Sequence, residues 1–403
     1  MDLTSKLRRF LPPQNNSDTD SRQTACDLDS LLHGQEVDTP FGPCYVIEET
    51  WPLAKRHGHW TLREVIETEY RSLDLYGHPC DNFDLHRALF LDTETTGLAG
   101  GTGTYAFLVG LGFFTPSHFV VKQLLMRDYN EELALLYLLD QEIQTKDTII
   151  SFNGKTFDLP LLQTRFTISR LGLAGTREKR HVDLLHMARR LWKQKLQSCS
   201  LTSLETHILG VKRVGDIPGY EIPGRYFEFL QTRDGTLLQD IVKHNVIDIV
   251  SMSTLLYRLQ TTAELPPEEC DCSYEAEAIA HLSFHSRKPR LALKYLEAAA
   301  QLSSDDEQYL RISRNAAAIL KRLGQYERAL PIWKRILEIA PDDLSTAEEL
   351  AKYYEHRTKD LTSAEQITRR ALAVAWQSRS PKTSALEHRL RRLERKTHAR
   401  TAP

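Results

Sequence analysis

Two apolar runs in this chain each lead into a carboxylate, and that pattern restricts the fold more than any other. Ala88-Leu89-Phe90-Leu91 gives way directly to Asp92-Thr93-Glu94, and Thr148 to Phe152 leads through Asn153-Gly154-Lys155-Thr156-Phe157 to Asp158. Alternate side chains of a strand share a face. Asp92 and Glu94 are therefore neighbours, and Asp158, just after its strand, can meet them at the end of the same sheet. A third acid-bearing stretch is helical. Leu237 to Leu259 has apolar residues at 237, 238, 241, 242, 246, 249, 250 and 255, the stripe of an amphipathic helix. His244 and Asp248 lie one turn apart on it.

The surrounding order of elements is that of an α/β protein with a mixed sheet. Tyr105 to Phe114 and His118 to Leu125 are β-rich and separated by Thr115-Pro116-Ser117, a turn signal. Glu131 to Ile143 has helical spacing, Thr148 to Phe152 returns to strand, and Leu159 to Leu171 is helical again. A short strand at Cys44 to Ile47 and a helix over Leu62 to Leu73 come before them. Three strands in meander, then helix, strand and helix, is by analogy the order of a ribonuclease-H-like mixed sheet flanked by helices. Beyond Pro266-Pro267 the chain becomes Ala- and Leu-rich. Ala292, Ala329 and Ala364 mark comparable points 37 and 35 residues apart, close to the ~34-residue period of a tetratricopeptide array. About three imperfect units fit, near the minimum for an all-α solenoid. The expected organisation is a disordered N-terminal arm over 1–38 and a lead-in over 39–84 that packs on a ribonuclease-H-like domain over 85–262. Tetratricopeptide-like repeats follow over 274–378, with a basic tail over 379–403.

Composition narrows the function classes. With 41% hydrophobic and 26% charged residues among 403, the chain has the make-up of a globular protein. A formal net charge of -2 is no sign of wholesale polyanion binding, so a nucleic-acid site has to be a local patch. Two basic regions qualify. Arg177, Lys179, Arg180, Arg189, Arg190, Lys193 and Lys195 are opposed by Glu178 and Asp183; Arg389, Arg391, Arg392, Arg395, Lys396 and Arg400 are opposed by Glu394. Such runs are usually solvated faces, with phosphate contact the competing expectation. Cys26, Cys44, Cys80, Cys199, Cys270 and Cys272 form no Cys-x-x-Cys pair and read as free thiols of a reducing compartment. No apolar run approaches the roughly 20 residues that cross a bilayer. Lys6, Arg8 and Arg9 have no apolar core behind them, so no signal peptide is expected. The expected location is cytoplasmic, with no membrane partner.

Asp92, Glu94, Asp158 and Asp248 have the character of metal ligands. Four like charges do not share a small volume without cations, and Mg2+ and Mn2+ prefer hard oxygen donors. Two such ions about 3.5–4 Å apart are what phosphodiester cleavage uses. Each part alone has a plainer reading. Asp-x-Glu is frequent by chance, Asn153 and Asp158 can cap the helix starting near Leu159, and a His–Asp pair one turn apart is usually a surface pair. Their combination on strand, strand and helix outweighs those readings. Lys155-Thr156 is not a phosphate-binding loop, because Ile149 stands where that motif needs glycine.

The three segments resemble the exonuclease motifs of the DEDD (DnaQ-like) 3′–5′ exonuclease superfamily. More closely, residues from about 41 to 259 resemble the YprB-like ribonuclease-H-like proteins of bacteria. The resemblance rests on Phe90 to Gly103, Phe152 to Pro160, His181 to Leu185, Asp216-Ile217-Pro218-Gly219 and His244 to Asp248. It implies that Asp92, Glu94, Asp158 and Asp248 ligate two Mg2+ or Mn2+ ions, with Asp92 bridging them. His244 would be the catalytic group beside the attacking water; it joins the spacing of one exonuclease branch to the residue of another. The implied reaction is 3′–5′ exonucleolytic hydrolysis of single-stranded or frayed DNA or RNA. A catalytically inactive nucleic-acid-binding scaffold and a structure-specific endonuclease are the alternatives. Thr95, Gly97, Asn153 and Phe157 are the expected substrate contacts, Gly97 by close backbone approach and Phe157 by base stacking. Helix capping and core packing are the competing roles of Asn153 and Phe157. Asp183 is expected to serve structure, with a place as an additional acid near the metals the competing role; the helical repeats are expected to hold a protein partner, with packing on the nuclease domain the alternative.

Overall fold

The computed structural model describes residues 28–79, 81–97, 101–171 and 179–401. They divide into two compact units. The first comprises the described residues up to Tyr70 with Asp81–Met187 and Cys199–Arg258; the second comprises Arg71–Cys80, Ala188–Ser198 and the chain from Leu259 onward.

The first unit is built on a seven-stranded mixed sheet. Its strands are β1 (Gly34–Thr39), β2 (Gly42–Pro52), β5 (Ala88–Thr95), β6 (Ala106–Phe114), β7 (His118–Leu125), β8 (Thr148–Ser151) and β9 (Arg180–Asp183), in the order β1-β2-β7-β6-β5-β8-β9. β3 (Arg56–His57) and β4 (Trp60–Thr61) form a separate hairpin. Neighbours from β1 to β5 pair antiparallel, while β5–β8 and β8–β9 are parallel. A parallel pair needs a crossover, and here α3 (Asp158–Ile168) lies between β8 and β9. The other helices are α1 (Leu62–Glu67), α2 (Glu132–Gln144), α4 (Leu184–Trp192), α5 (Leu201–Leu204), α6 (Ile222–Thr232) and α7 (Thr236–Glu264). Leu89 and Leu91 of β5 join a core with Leu135 and Leu139 of α2, Leu162 and Phe166 of α3, and Tyr226 and Phe229 of α6.

Three local expectations change. Gly34–Thr39, all but its last residue placed in the arm by the sequence, is the edge strand β1, paired with β2 from Gly34↔Ile47 to Thr39↔Gly42. None of its side chains is buried and three of the six are exposed, so backbone pairing makes it a strand and no apolar pattern marks it. The lead-in likewise does not merely pack on the domain: β2 is a strand of the sheet, and residues 71–80 belong to the second unit. The helix at Leu62 starts on a capping box between Thr61 and Glu64, but Thr68 leaves it with ψ 138°. The chain then winds into a 3-10 turn at Arg71–Tyr76 instead of continuing to Leu73. Residues 1–27 of the expected arm lie outside the described residues.

The second unit is helical. Ser72 N donates to Gln260 Oε1 at 3.0 Å and the Tyr76 hydroxyl to Leu259 O at 3.0 Å. After Pro266-Pro267 come α8 (Ser273–His285), α9 (Pro289–Gln301), α10 (Asp306–Arg322), α11 (Tyr326–Ile339), α12 (Leu344–Tyr353), α13 (Leu361–Gln377) and α14 (Thr383–Thr401), each packed on the next. The three alanines picked out by their spacing, Ala292, Ala329 and Ala364, are each fully buried, on α9, α11 and α13.

The expected basic tail is instead α14, anchored on α13 by Leu386 against Ala371, Leu372 and Ala375. Three of its cations share one buried partner. Arg389, Arg392 and Lys396 converge on Glu355, at 3.0, 2.7 and 2.8 Å, and the Glu355 side chain is inaccessible to solvent. Burial opposes ionisation of this carboxyl, yet Lys396 and Arg392 outweigh it and hold it down to about 2. A depressed folded value means stability that is present above the ordinary 4.5 and lost as pH falls toward 2. Glu355→Ala strands three cations around an apolar hole. Its expected cost is about 3–5 kcal/mol, read as a lower melting temperature at pH 7, with a smaller difference from wild type near pH 2.5.

Candidate active site

Asp92 is held from behind. Asn245 of α7 donates from Nδ2 to Asp92 Oδ2 at 2.8 Å, and its own Oδ1 accepts from Gln123 Nε2 of β7 at 2.8 Å. Gln123 also donates to Val242 O at 3.0 Å. Both amides are buried, Asn245 at 0% and Gln123 at 1% exposure, so every polar atom spent here has to find a partner. The relay fits because position 110 of β6 has no side chain: a Cβ there would lie 2.1 Å from Asn245 Oδ1. Sequence reading missed Asn245 and Gln123. The usable signal was polarity inside apolar stretches, an amide beside His244 and another within the β7 run.

Asp158 arrives from the other side, as the first residue of α3 and not as its cap. The residue before it, Phe157, makes no side-chain cap bond. Thr93 donates its hydroxyl to Asp158 Oδ1 at 2.5 Å, linking β5 to the second acid-bearing segment. The loop between β8 and α3 is moulded by Asp183, which is fully buried and accepts from the backbone N–H groups of Asn153 (2.9 Å), Lys155 (3.0 Å) and Leu185 (3.1 Å). Asp183 thus does structural work, as expected from sequence. Asn153 takes a left-handed backbone, φ 68°, which asparagine tolerates better than most residues. Phe157 is 52% exposed, so it is not a core residue. Thr95 donates its hydroxyl to Gly97 O at 2.9 Å, closing the turn that follows β5. Leu98, Ala99 and Gly100 of that stretch lie outside the described residues.

Asp248 and His244 come from α7 and share a partner that the sequence reading left unassigned, Arg213. Its guanidinium, 6% exposed, donates to both oxygens of buried Glu205 at 2.6 Å, to Asp216 Oδ2 at 3.0 Å, and to Asp248 Oδ1. Asp216 Oδ1 lies 2.9 Å from His244 Nδ1, and His244 Nε2 lies 3.7 Å from Asp248 Oδ2. The loop that brings Arg213 in turns at Gly210, with φ 71° and the His59 ring where a Cβ would be.

The electrostatics of this group are those of an acid cluster short of cations. Burial, then Asp248 and Asp158, hold the Asp92 carboxyl well above the usual range. Burial, then Asp92, Asp248 and Asp158, do the same to Glu94. Asp158 is pushed up to about 6, chiefly by burial. The donor set suits a hard divalent ion, and a cation there would relieve a penalty that Arg213 offsets only in part. Coordination is not preassembled, however. Among the described residues no three His, Cys, Asp or Glu side chains enclose an ion, and Asp92, Asp158 and Asp248 each have an oxygen committed to Asn245, Thr93 and Arg213.

The basic region near these motifs is largely spoken for. Lys179 donates to Lys146 O, Arg180 to Asp81 O at 2.8 Å, Arg190 to Tyr76 O at 2.7 Å, and Lys195 to Glu275 Oε1 at 2.7 Å. Arg177 and Glu178 lie outside the described residues. Cys44, Cys199, Cys270 and Cys272 are free thiols; Cys26 and Cys80 are not among the described residues. No helix among the described residues is long and apolar enough to cross a membrane.

Comparison with known proteins agrees with this geometry. Residues 89–260, the span from β5 through most of α7, match the RNase_H_2 family model of the RNase_H superfamily. Over 362 residues the chain is 32% identical to the uncharacterised protein YprB of Bacillus subtilis (strain 168), an alignment that covers 88% of this chain and 86% of that one. A sheet with four antiparallel and two parallel pairings that carries acids on the interior strand β5, a family match over that strand and its neighbours, and an alignment along nearly the whole length lead to one assignment. The chain belongs to the YprB family and carries an RNase-H-superfamily domain.

Proposed function

We propose that this protein is a divalent-metal-dependent nuclease that hydrolyses phosphodiester bonds at the 3′ end of single-stranded or frayed nucleic acid. The observation that carries the reading is the set of four carboxylates, Asp92, Glu94, Asp158 and Asp248, three of them with raised pKa values from burial and from one another. Such a set is costly without a ligand of opposite charge. Asp92, Glu94, Asp158 and Asp248 would hold Mg2+ or Mn2+, two ions in all. Bound there, they would supply Lewis-acid activation of water and stabilisation of the leaving oxygen. The chain's own groups do the rest. His244 presents Nε2 on the Asp248 side and takes a proton from the attacking water. Phe157 offers an exposed ring on which a base can stack, an interaction worth about 1–3 kcal/mol. Thr95, Gly97 and Asn153 line the approach of the terminal nucleotide.

The helical unit reads as a tetratricopeptide-like array that docks a protein partner, supported by the period of Ala292, Ala329 and Ala364 and their equal burial. A scaffold reading, in which the acid centre is inactive, draws on the engagement of Asp248 by Arg213 and the lack of a preassembled ion cage. The assay that separates these readings uses 5′-labelled linear and circular single-stranded DNA and RNA with Mg2+ or Mn2+. A ladder shortened from the 3′ end of linear strands, with circles intact, is the expected result. Nicked circles would move the assignment to an endonuclease, and intact strands in every condition would favour the scaffold.

A further inference from the structure

Arg213 is too fully committed to be a substrate contact. Its Nε and Nη2 grip Glu205 at 2.6 Å each, Nη2 also reaches Asp248, and Nη1 reaches Asp216 at 3.0 Å. Three carboxylates therefore take four of the fork's five N–H groups, Nη1 also lies 3.3 Å from His244 Nδ1, and with 6% exposure the fork has no open side toward a phosphate. What it controls is the orientation of the groups around it. Asp248 is turned by the guanidinium at Oδ1, leaving Oδ2 on the side of His244 Nε2 at 3.7 Å. His244 Nδ1 has two neighbours, Asp216 Oδ1 at 2.9 Å and Arg213 Nη1 at 3.3 Å. Both cannot be satisfied by one nitrogen. The shorter bond to a carboxylate is the stronger, so Nδ1 carries the proton and donates to Asp216. Arg213 thereby fixes Asp248 directly and His244 through Asp216.

We propose that Arg213 is the positioning residue of this centre: one buried guanidinium sets both the last acid and the histidine, and touches neither metal nor nucleic acid. The inference rests on the nuclease reading above for its catalytic consequence, though not for its geometry. The rival role is plain neutralisation of Glu205, which is itself buried. Lysine separates the two. It keeps the charge opposite Glu205 but, as a point donor, cannot span three carboxylates in one plane.

Arg213→Lys is expected to fold, and Mn2+ binding by the metal-free protein is expected to persist, weakened only as far as Asp248 loses its guanidinium contact, because Asn245 still holds Asp92. Turnover on a 5′-labelled strand should fall roughly 100-fold, the scale of an ångström-sized misplacement, with KM little changed. Full turnover in Arg213→Lys would overturn the proposal. Where that variant fails to fold, Glu205→Gln/Arg213→Gln keeps a neutral hydrogen-bonded pair in place and is read in the same way. A second arm needs no activity. Long-range 1H–15N NMR of metal-free wild type should show a proton on His244 Nδ1; a bare Nδ1 would mean that it accepts from Arg213, and the route through Asp216 would fall. Should wild type hydrolyse nothing, the nuclease reading fails while this arm still decides the role of Arg213.

Discussion

Asp92→Asn is expected to slow hydrolysis about a thousandfold and, in the same protein, to raise the stability of the metal-free state. The first effect follows if Asp92 is the shared ligand: losing several kcal/mol of transition-state charge stabilisation slows turnover about a thousandfold. The second follows from burial beside Asp248 and Asp158, which makes an ionised Asp92 a liability when no cation is bound. Asparagine keeps the shape and an oxygen for Asn245, and removes the charge. The sign can be checked by pH. Folded values above the unfolded ones mean that the native state binds protons more tightly. This contribution is complete below 3.8, the ordinary value of Asp158, and is lost as pH rises through about 6 for that residue. Asp92 and Glu94, both held above the usual carboxylate range, add to the loss as pH rises. Metal-free wild type should therefore melt several degrees lower at pH 7.5 than Asp92→Asn, with a smaller gap near pH 5. Equal melting temperatures throughout would remove the electrostatic argument, whatever the activity assay finds.

Gly110→Ala is expected to be strongly destabilising for a change of a single methyl group. The added Cβ would sit 2.1 Å from Asn245 Oδ1 and 2.8 Å from its Cγ, so either β6 and α7 separate or Asn245 rotates away. Separation costs about 1–3 kcal/mol of overpacking strain. Rotation strands buried Gln123 and Asn245 amides at a similar cost each. A total near 3 kcal/mol lowers the melting temperature by roughly 6–12 °C in a unit of this size. Hydrolysis should fall as well, because Asp92 loses the bond that orients it. Gly224→Ala is the control: nothing lies within 4 Å of its Cβ, and a helical alanine for glycine is neutral or mildly stabilising. A Gly110→Ala protein that melts like wild type would mean that the relay through Asn245 carries no weight.

What could be read from the chain alone follows from where the physical signal is dense. Continuous apolar and β-rich runs with their turn signals foretold β5, β6, β7 and β8, and the stripe on Leu237–Leu259 foretold α7, which runs on to Glu264 before Pro266-Pro267. β1 was illegible because an edge strand of exposed residues such as Gln35, Glu36 and Asp38 is held by backbone bonds. β9 was illegible for a different reason, being four residues long with Val182 its single apolar residue. The charges of α14 looked like a tail because its partner, Glu355, is 34 to 41 residues away in sequence. The same limit applies at the acid centre. Its acids stand in recognisable local patterns, whereas Gln123, Asn245, Glu205 and Arg213 act only through contacts made after folding. Pattern identifies the acids, and three-dimensional packing identifies what orients them.

The claim on which all of this turns is that Asp92, Glu94, Asp158 and Asp248 form a centre for divalent metal. It is tested most directly by titrating metal-free wild type and Asp92→Asn with Mn2+ in a calorimeter at pH 7.5. Saturable binding to wild type at micromolar to submillimolar concentration, lost or weakened at least about tenfold in Asp92→Asn, is the expected outcome. No heat with wild type at millimolar Mn2+, or the same isotherm for both proteins, would contradict it.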